Sequence, residues 1–148
     1  MDTQKLRLLQ VERALQQTKF SPRPAAGWIH VIRSALGITT RQLATQLGMG
    51  QSTLVALEKS EAEDRITLQS LRKVAHALDC ELSYAFVPRS SLTKRIEDRA
   101  EVIATERVGR VLHSMRLEDQ APTDRPDKNE IEKIKQTLLD SSWSKLWK

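Results

Sequence analysis

Apolar residues recur at helical spacing along most of the chain, and this periodicity predicts a mainly helical protein. We expect an N-terminal helix over residues 2–17, where Leu8, Val11 and Leu15 share one face. Dense helical periodicity with short breaks continues over residues 25–80, and a broad apolar stripe runs along residues 91–115. A last short helix is expected after Asp127, an acceptor residue suited to a helix cap.

One segment departs from the helical pattern. Between Leu82 and Val87 larger side chains alternate with smaller ones, which predicts a single β-strand. A lone strand leaves an unpaired edge, and such an edge tends to pair with another chain. The sequence therefore predicts that this strand pairs with its two-fold mate, with three residues packed beneath the ribbon as the dimerisation residues: Leu82, Tyr84 and Phe86.

Breaks in the pattern divide the chain into three predicted regions. Residues 1–20 form an N-terminal helical arm, residues 21–90 a central domain that ends in the strand, and residues 91–148 a helical C-terminal extension. The first boundary coincides with Ser21-Pro22-Arg23-Pro24, because each proline disfavours a helical conformation in the residue before it. The connector is therefore expected to be extended.

The central domain contains a pattern typical of two helices that cross through a short turn. Thr39 and Gln42 have the spacing of a capping box for the first helix. Ala44 supplies a small residue where the helices touch, and Gly48 supplies the positive φ that the turn requires. Apolar residues that face the rest of the domain complete the pattern: Leu43, Leu47, Met49, Leu54 and Leu57.

These residues resemble the helix-turn-helix of the Cro and phage-repressor family, also called the xenobiotic-response-element family. The resemblance covers about residues 25–80 and implies a sequence-specific regulator that binds double-stranded DNA. It also implies an ion pair between Arg33 and Glu58 that fixes the angle of the recognition helix. The implied fold is a repressor-like all-α domain with one short dimerising β-strand and helical N- and C-terminal extensions.

In this family the recognition helix enters the major groove, and here it is expected over residues 51–59. Gln51 suits bidentate contact with adenine, and exposed apolar side chains suit the thymine methyl group. Thr40, Arg41 and Lys59 are expected at phosphates. The predicted DNA-binding residues are Thr40, Arg41, Gln51, Ser52, Thr53, Val55, Ala56 and Lys59.

Two features depart from the common family pattern. Gly50 lies where a serine or threonine cap is common, so the recognition helix is expected to begin with a weak cap. The predicted loop over residues 60–66 contains three carboxylates, which phosphates would repel. We therefore expect this loop, with Glu61, Glu63 and Asp64, to point away from DNA.

The whole-chain pattern is similar to the mobile mystery protein A subgroup, found beside a Fic-domain protein on mobile elements. The features that carry this resemblance are the N-terminal helix, the strand ending at Pro88, the long arginine-rich helix and the terminal Leu146-Trp147. It implies an autorepressor that is an antitoxin-like partner of a Fic-domain toxin and binds a near-palindromic operator as a homodimer. The alternative is a protein-interaction module that mainly neutralises a toxin through its terminal helices.

Composition adds little to this picture. A net charge of +5 permits a nucleic-acid partner, but the basic residues are spread along the chain, so the motif carries the argument for DNA. We expect no catalytic site, cofactor or metal, because the three histidines are isolated and no phosphate-binding loop is present. Cys80, the only cysteine, is expected to be buried. The chain shows no secretory signal or membrane span, which predicts a cytoplasmic location.

Overall fold

A computed structural model describes residues 2–17, 21–118 and 127–148, and these residues form helices and irregular segments. The α-helices are α1 (Thr3–Gln16), α2 (Trp28–Ala35), α3 (Thr40–Gln46), α4 (Gln51–Ala62), α5 (Leu68–Ala77), α6 (Leu92–Leu117) and α7 (Lys128–Asp140). A short 3₁₀ helix at Trp143–Trp147 follows. None of the described helices is long and apolar enough to cross a membrane.

The chain forms two compact units, one of which is Lys19–Ala85. It contains α2 to α5, whose apolar faces meet in one core. Thr39 and Thr67 accept hydrogen bonds from backbone amides and cap α3 and α5. The core residues that are buried are Ile29, Leu43, Ala44, Leu54, Val74 and Leu78. This unit holds both helices of the predicted DNA-binding motif.

The other unit combines Met1–Thr18 with Phe86–Lys148, so α1 belongs with the C-terminal helices. The long helix α6 packs against α7 through small residues, because Ala100 and Ala104 let the two helices approach closely around Leu138. The 3₁₀ helix completes this core with Leu146, which is fully buried. Arg99 Nε donates a hydrogen bond to the Leu146 carbonyl oxygen over 2.6 Å.

Glu12 of α1 caps the first turn of α6. Its carboxylate accepts a hydrogen bond from the Thr93 backbone N–H and one from the Thr93 hydroxyl, both at 2.8 Å. These two bonds favour the charged form and hold the pKa of Glu12 below its ordinary value of 4.5. The contact attaches α1 to its unit through a charged side chain.

We expect this attachment to depend on pH. A depressed pKa stabilises the folded state above the ordinary value and loses that contribution as pH falls through the folded pKa of Glu12. The stability difference between wild type and Glu12→Gln should therefore be largest near neutral pH and shrink below about pH 4. Thermal unfolding of both proteins between pH 3 and pH 7 measures it. A difference that stays constant over this range would contradict the prediction.

The predicted strand over Leu82–Val87 is not formed, and the described residues contain no β-strand. A strand requires a ladder of backbone hydrogen bonds to a second strand, and none of the described residues provides one for this segment. Larger and smaller side chains do alternate in this segment, but alternation alone does not provide a hydrogen-bonding partner for its backbone. The fold is therefore all-α within the described residues.

Cys80 is exposed, so the prediction that it is buried was wrong. Helix α5 ends at Ala77, and Asp79 adopts a left-handed conformation with φ of 54°. This turn takes Cys80 off the apolar face that a continued helix would have given it. Its thiol lies 3.4 Å from the Leu78 carbonyl oxygen.

Candidate nucleic-acid interface

Helices α3 and α4 are joined by a tight turn that the local sequence specifies. The Thr39 hydroxyl accepts from the Gln42 backbone N–H at 3.2 Å, and the Gln42 side chain accepts from the Thr39 N–H at 2.8 Å. The predicted capping box is thereby confirmed. Gly48 has a φ of 67°, which confirms the need for a residue tolerant of positive φ. Ala44, 2% exposed, is packed where the two helices cross.

Helix α4 begins at Gln51, and its inward face is anchored by Leu54, which is fully buried. No side chain caps the helix at Gly50, so the prediction of a weak cap is confirmed. The helix is one turn longer than predicted and ends at Ala62. Residues 60–62 therefore belong to α4 and not to the following loop.

The predicted DNA-contacting side chains of α4 lie together at the solvent surface. Gln51 and Ser52 are exposed in the first turn, with Thr53 beside them. Val55, an aliphatic side chain, is 48% exposed. Ala56 and Lys59 are also exposed on this helix. The surface is polar with a small apolar patch, as a major-groove reader requires.

The N-terminal ends of α3 and α4 are linked by a side-chain hydrogen bond. Gln51 Nε2 donates to the Thr40 hydroxyl over 2.9 Å. One N–H of the Gln51 amide and its carbonyl oxygen remain available for a base edge, so the bond orients the amide without consuming it. Arg41, beside Thr40, is exposed. The structure thus brings Thr40, Arg41 and Gln51 to the same end of the motif.

A mostly buried ion pair connects α2 to α4. Arg33 Nε lies 2.5 Å from Glu58 Oε1, and both side chains are 11% exposed. A second guanidinium nitrogen of Arg33 donates to Glu58 Oε2 at 3.3 Å, and a third donates to the Ile38 carbonyl oxygen at 2.9 Å. The His30 ring contacts the same carboxylate, with Nδ1 3.3 Å from Glu58 Oε2. This cluster holds α4 against α2.

Glu61 is the residue whose role sequence reasoning missed. It lies in the last turn of α4 and is 4% exposed, although it was predicted to be in a loop that points away from DNA. Its Oε1 accepts a hydrogen bond from the Ile29 backbone N–H at 2.9 Å, so it caps the N-terminus of α2. Arg23 donates to the Glu61 carbonyl oxygen and pairs with Asp64 at 3.0 Å. Nothing local marks this role, because Glu61 and Ile29 lie far apart in the sequence.

The two remaining carboxylates of the predicted loop are at the surface. Glu63 and Asp64 are exposed, and both form ion pairs with arginines, Glu63 with Arg65 and Asp64 with Arg23. Asp64 has a φ of 58°, a conformation that aspartate tolerates better than most residues. Pairing with arginine neutralises the charge that would repel phosphate. No group of three or more histidine, cysteine, aspartate or glutamate residues in the described part of the chain could hold a metal ion.

Comparison with known proteins gives a result for the helix-turn-helix part of the chain. A search of curated proteins and a search of solved structures each gave no match. A match to a family model lies in the unit that contains α3 and α4. Residues 29–84 match the family model described as Helix-turn-helix, of the Cro and phage-repressor type, which indicates a DNA-binding regulator.

Proposed function

We propose that the protein is a sequence-specific transcriptional regulator that reads double-stranded DNA with the N-terminal half of α4. The observation that carries the proposal is the exposed row of Gln51, Ser52 and Val55 on a helix whose other face is held by a buried leucine and a buried ion pair. A rigid support of this kind gives a short reading surface the precision that base recognition needs.

Each exposed side chain has a chemical role in this proposal. Gln51 contacts adenine N6 and N7, and the Thr40 hydroxyl orients its amide. Ser52 and Thr53 donate to a base edge or a phosphate, and Val55 with Ala56 contacts a thymine methyl group. Arg41 and Lys59 contact phosphates on either side. The structural ion pair Arg33–Glu58 keeps α4 at the angle that these contacts require.

The regulator is proposed to act as a homodimer on a near-palindromic operator. The segment that contains Leu82, Tyr84 and Phe86 supports this proposal, because its backbone has no ladder partner in the described chain and Phe86 is 79% exposed. Pairing of this segment with a second copy would bury the aromatic side chains. Two recognition helices about one turn of DNA apart then read two half-sites.

We further propose that the protein represses its own operon and acts as an antitoxin-like partner of a Fic-domain protein, the role that the resemblance to the mobile mystery protein A subgroup implies. The second unit supports a protein-binding role that accompanies DNA binding or takes its place. On α6, Val111 is 53% and Met115 37% exposed, and the two share one helix face. A toxin bound through the terminal helices would contact this face.

Loss of the reading surface should weaken specific DNA binding strongly. We expect Gln51→Ala/Ser52→Ala to weaken binding to DNA from upstream of its own gene about a hundredfold, because each good base contact is worth about 1–3 kcal/mol. A mobility-shift titration at near-physiological salt measures the effect. Gln10→Ala, an exposed glutamine of α1, is the matched control and should bind as wild type does. Equal binding by the double variant and wild type would contradict the assigned reading surface.

The antitoxin role has a separate test. We expect the full chain to co-purify with a Fic-domain protein encoded beside its gene, and Val111→Glu/Met115→Glu to reduce that co-purification strongly. The same variant should bind DNA as wild type does, because neither side chain lies in the DNA-reading unit. Absence of any complex with the full chain would rule out the antitoxin role and leave DNA binding intact.

A further inference from the structure

The segment that follows α5 has an unusual combination of properties. It runs from Glu81 to Pro88 without a turn or bend, and no hydrogen bond joins its backbone to another described residue. Tyr84 is 60%, Phe86 79% and Val87 59% exposed. Among the described residues, a row of backbone donors and acceptors therefore has no backbone partner and lies beside large apolar side chains. A segment with these properties is suited to pair with a second strand.

We propose that residues 82–88 of two copies pair as an antiparallel ribbon whose two-fold axis passes through Ala85, with Glu81 and the bend residue Arg89 at its ends. The proposal rests on the homodimer proposed above and adds its register. When a two-fold axis perpendicular to an antiparallel ribbon relates its two strands, each residue has its side chain on the same face in both strands. Residues that lie opposite each other also share a face, so the residue at the axis must lie opposite its own copy. The candidates for that central position within the exposed segment are Tyr84, Ala85 and Phe86.

Charge distinguishes these three registers. An axis at Ala85 places Glu81 of each copy opposite Arg89 of the other, which gives two opposite-charge pairs at the ends of the ribbon. An axis at Tyr84 places Arg89 opposite Asp79, whose left-handed conformation cannot continue a strand. An axis at Phe86 places Glu81 opposite Ser91, which already caps α6. The charged ends of the segment are therefore complementary in one register.

Backbone chemistry agrees with the same register. Proline has no N–H, so Pro88 must lie in a pair that exchanges no hydrogen bonds. If Ala85 forms a hydrogen-bonded pair with its mate, the pairs alternate outward, and Pro88 opposite Leu82 is a non-hydrogen-bonded pair. Tyr84 opposite Phe86 is also a non-hydrogen-bonded pair, in which side chains approach most closely. The two aromatic rings therefore meet twice across the ribbon.

The aromatic pair would also close an apolar groove. Leu82 and Tyr84 line a groove of about 600 Å³ with Trp28 and Leu68, which are 39% and 44% exposed. In the proposed register Phe86 of the second copy lies against Tyr84, at the side of this groove. Burial of these rings supplies a hydrophobic contribution that the paired backbone alone lacks.

A charge-exchange experiment on the full chain tests the register. We expect E81R and R89E each to weaken the dimer about tenfold, because each replaces two attractive pairs by two repulsive ones, and the double variant E81R/R89E to recover most of the wild-type dissociation constant. Sedimentation equilibrium measures it. The control is the exposed pair Lys94 and Asp98 on α6, 2.9 Å apart, whose exchange by K94E/D98K should leave dimerisation unchanged.

Oxidative crosslinking locates the axis independently. In a Cys80→Ala background, A85C should form an intermolecular disulfide, because residues opposite each other in a hydrogen-bonded pair have Cα atoms about 5.5 Å apart. Preferred crosslinking of Y84C or F86C, or a dimer without recovery in E81R/R89E, would overturn the register while the dimer stands. A chain that stays monomeric would overturn both register and dimer, and the mobility-shift titration reports separately on DNA recognition.

Discussion

Replacement of Gly27 by alanine is expected to lower the free energy of unfolding of the unit Lys19–Ala85 by about 3 kcal/mol. Gly27 has φ of 86° and ψ of 155°, a combination that only glycine adopts readily. A Cβ atom at this position would lie 2.5 Å from Glu61 Oε1, inside van der Waals contact. Alanine would therefore strain the backbone and displace the carboxylate that caps α2. Equilibrium unfolding in urea measures the loss.

A second glycine provides a comparison without the steric contact. Gly48 also has a positive φ, 67°, but an added Cβ there meets nothing within 4 Å. Gly48→Ala should therefore cost only the conformational strain, about 1 kcal/mol. The excess loss in Gly27→Ala combines the displacement of Glu61 with the rarer backbone conformation of Gly27. Equal losses in both variants would contradict the expected clash with Glu61.

The contact between Glu61 and the N-terminus of α2 could not be predicted from the sequence. The features of the helix-turn-helix that the sequence predicted are local, since Thr39 and Gln42 or Ala44 and Gly48 lie within one turn of the helices that they shape. Glu61 caps a helix that begins 33 residues earlier in the sequence, at Trp28. A glutamate beside Glu63 and Asp64 reads as part of a solvated acidic loop. Only the three-dimensional arrangement reveals that one of the three carboxylates points inward.

The segment Leu82–Val87, in which larger and smaller side chains alternate, illustrates a different limit of prediction from the sequence. Its side-chain alternation correctly distinguishes it from a helix, because residues 81–88 are not helical. Whether such a segment is a strand depends on a hydrogen-bonding partner, and the chain contributes none among its described residues. A sequence pattern can therefore predict the conformational preference of Leu82–Val87 but not its pairing. For the proposed DNA-reading surface the limit is different, because the exposure of Gln51 and Val55 does not identify a base sequence.

Replacement of Arg33 by methionine is the second change with a large expected effect. It removes every hydrogen bond that the guanidinium makes to Glu58 and to the Ile38 carbonyl oxygen. The Glu58 side chain, 11% exposed in the wild type, then keeps the His30 ring as its side-chain partner among the described residues. We expect a loss of about 3 kcal/mol in the free energy of unfolding, at the lower end for a broken buried ion pair. Urea denaturation monitored by circular dichroism measures it.

A double substitution distinguishes the cost of an unpaired buried charge from the cost of lost packing. In Arg33→Met/Glu58→Leu both charges are gone, so stability should recover by at least half of the loss seen in the single variant. DNA affinity should not recover with it, because α4 would regain its attachment to α2 without the directional bonds that set its angle. A mobility-shift titration well below the unfolding temperature measures this. If the double variant regained both stability and full affinity, the ion pair would be dispensable for orienting the recognition helix.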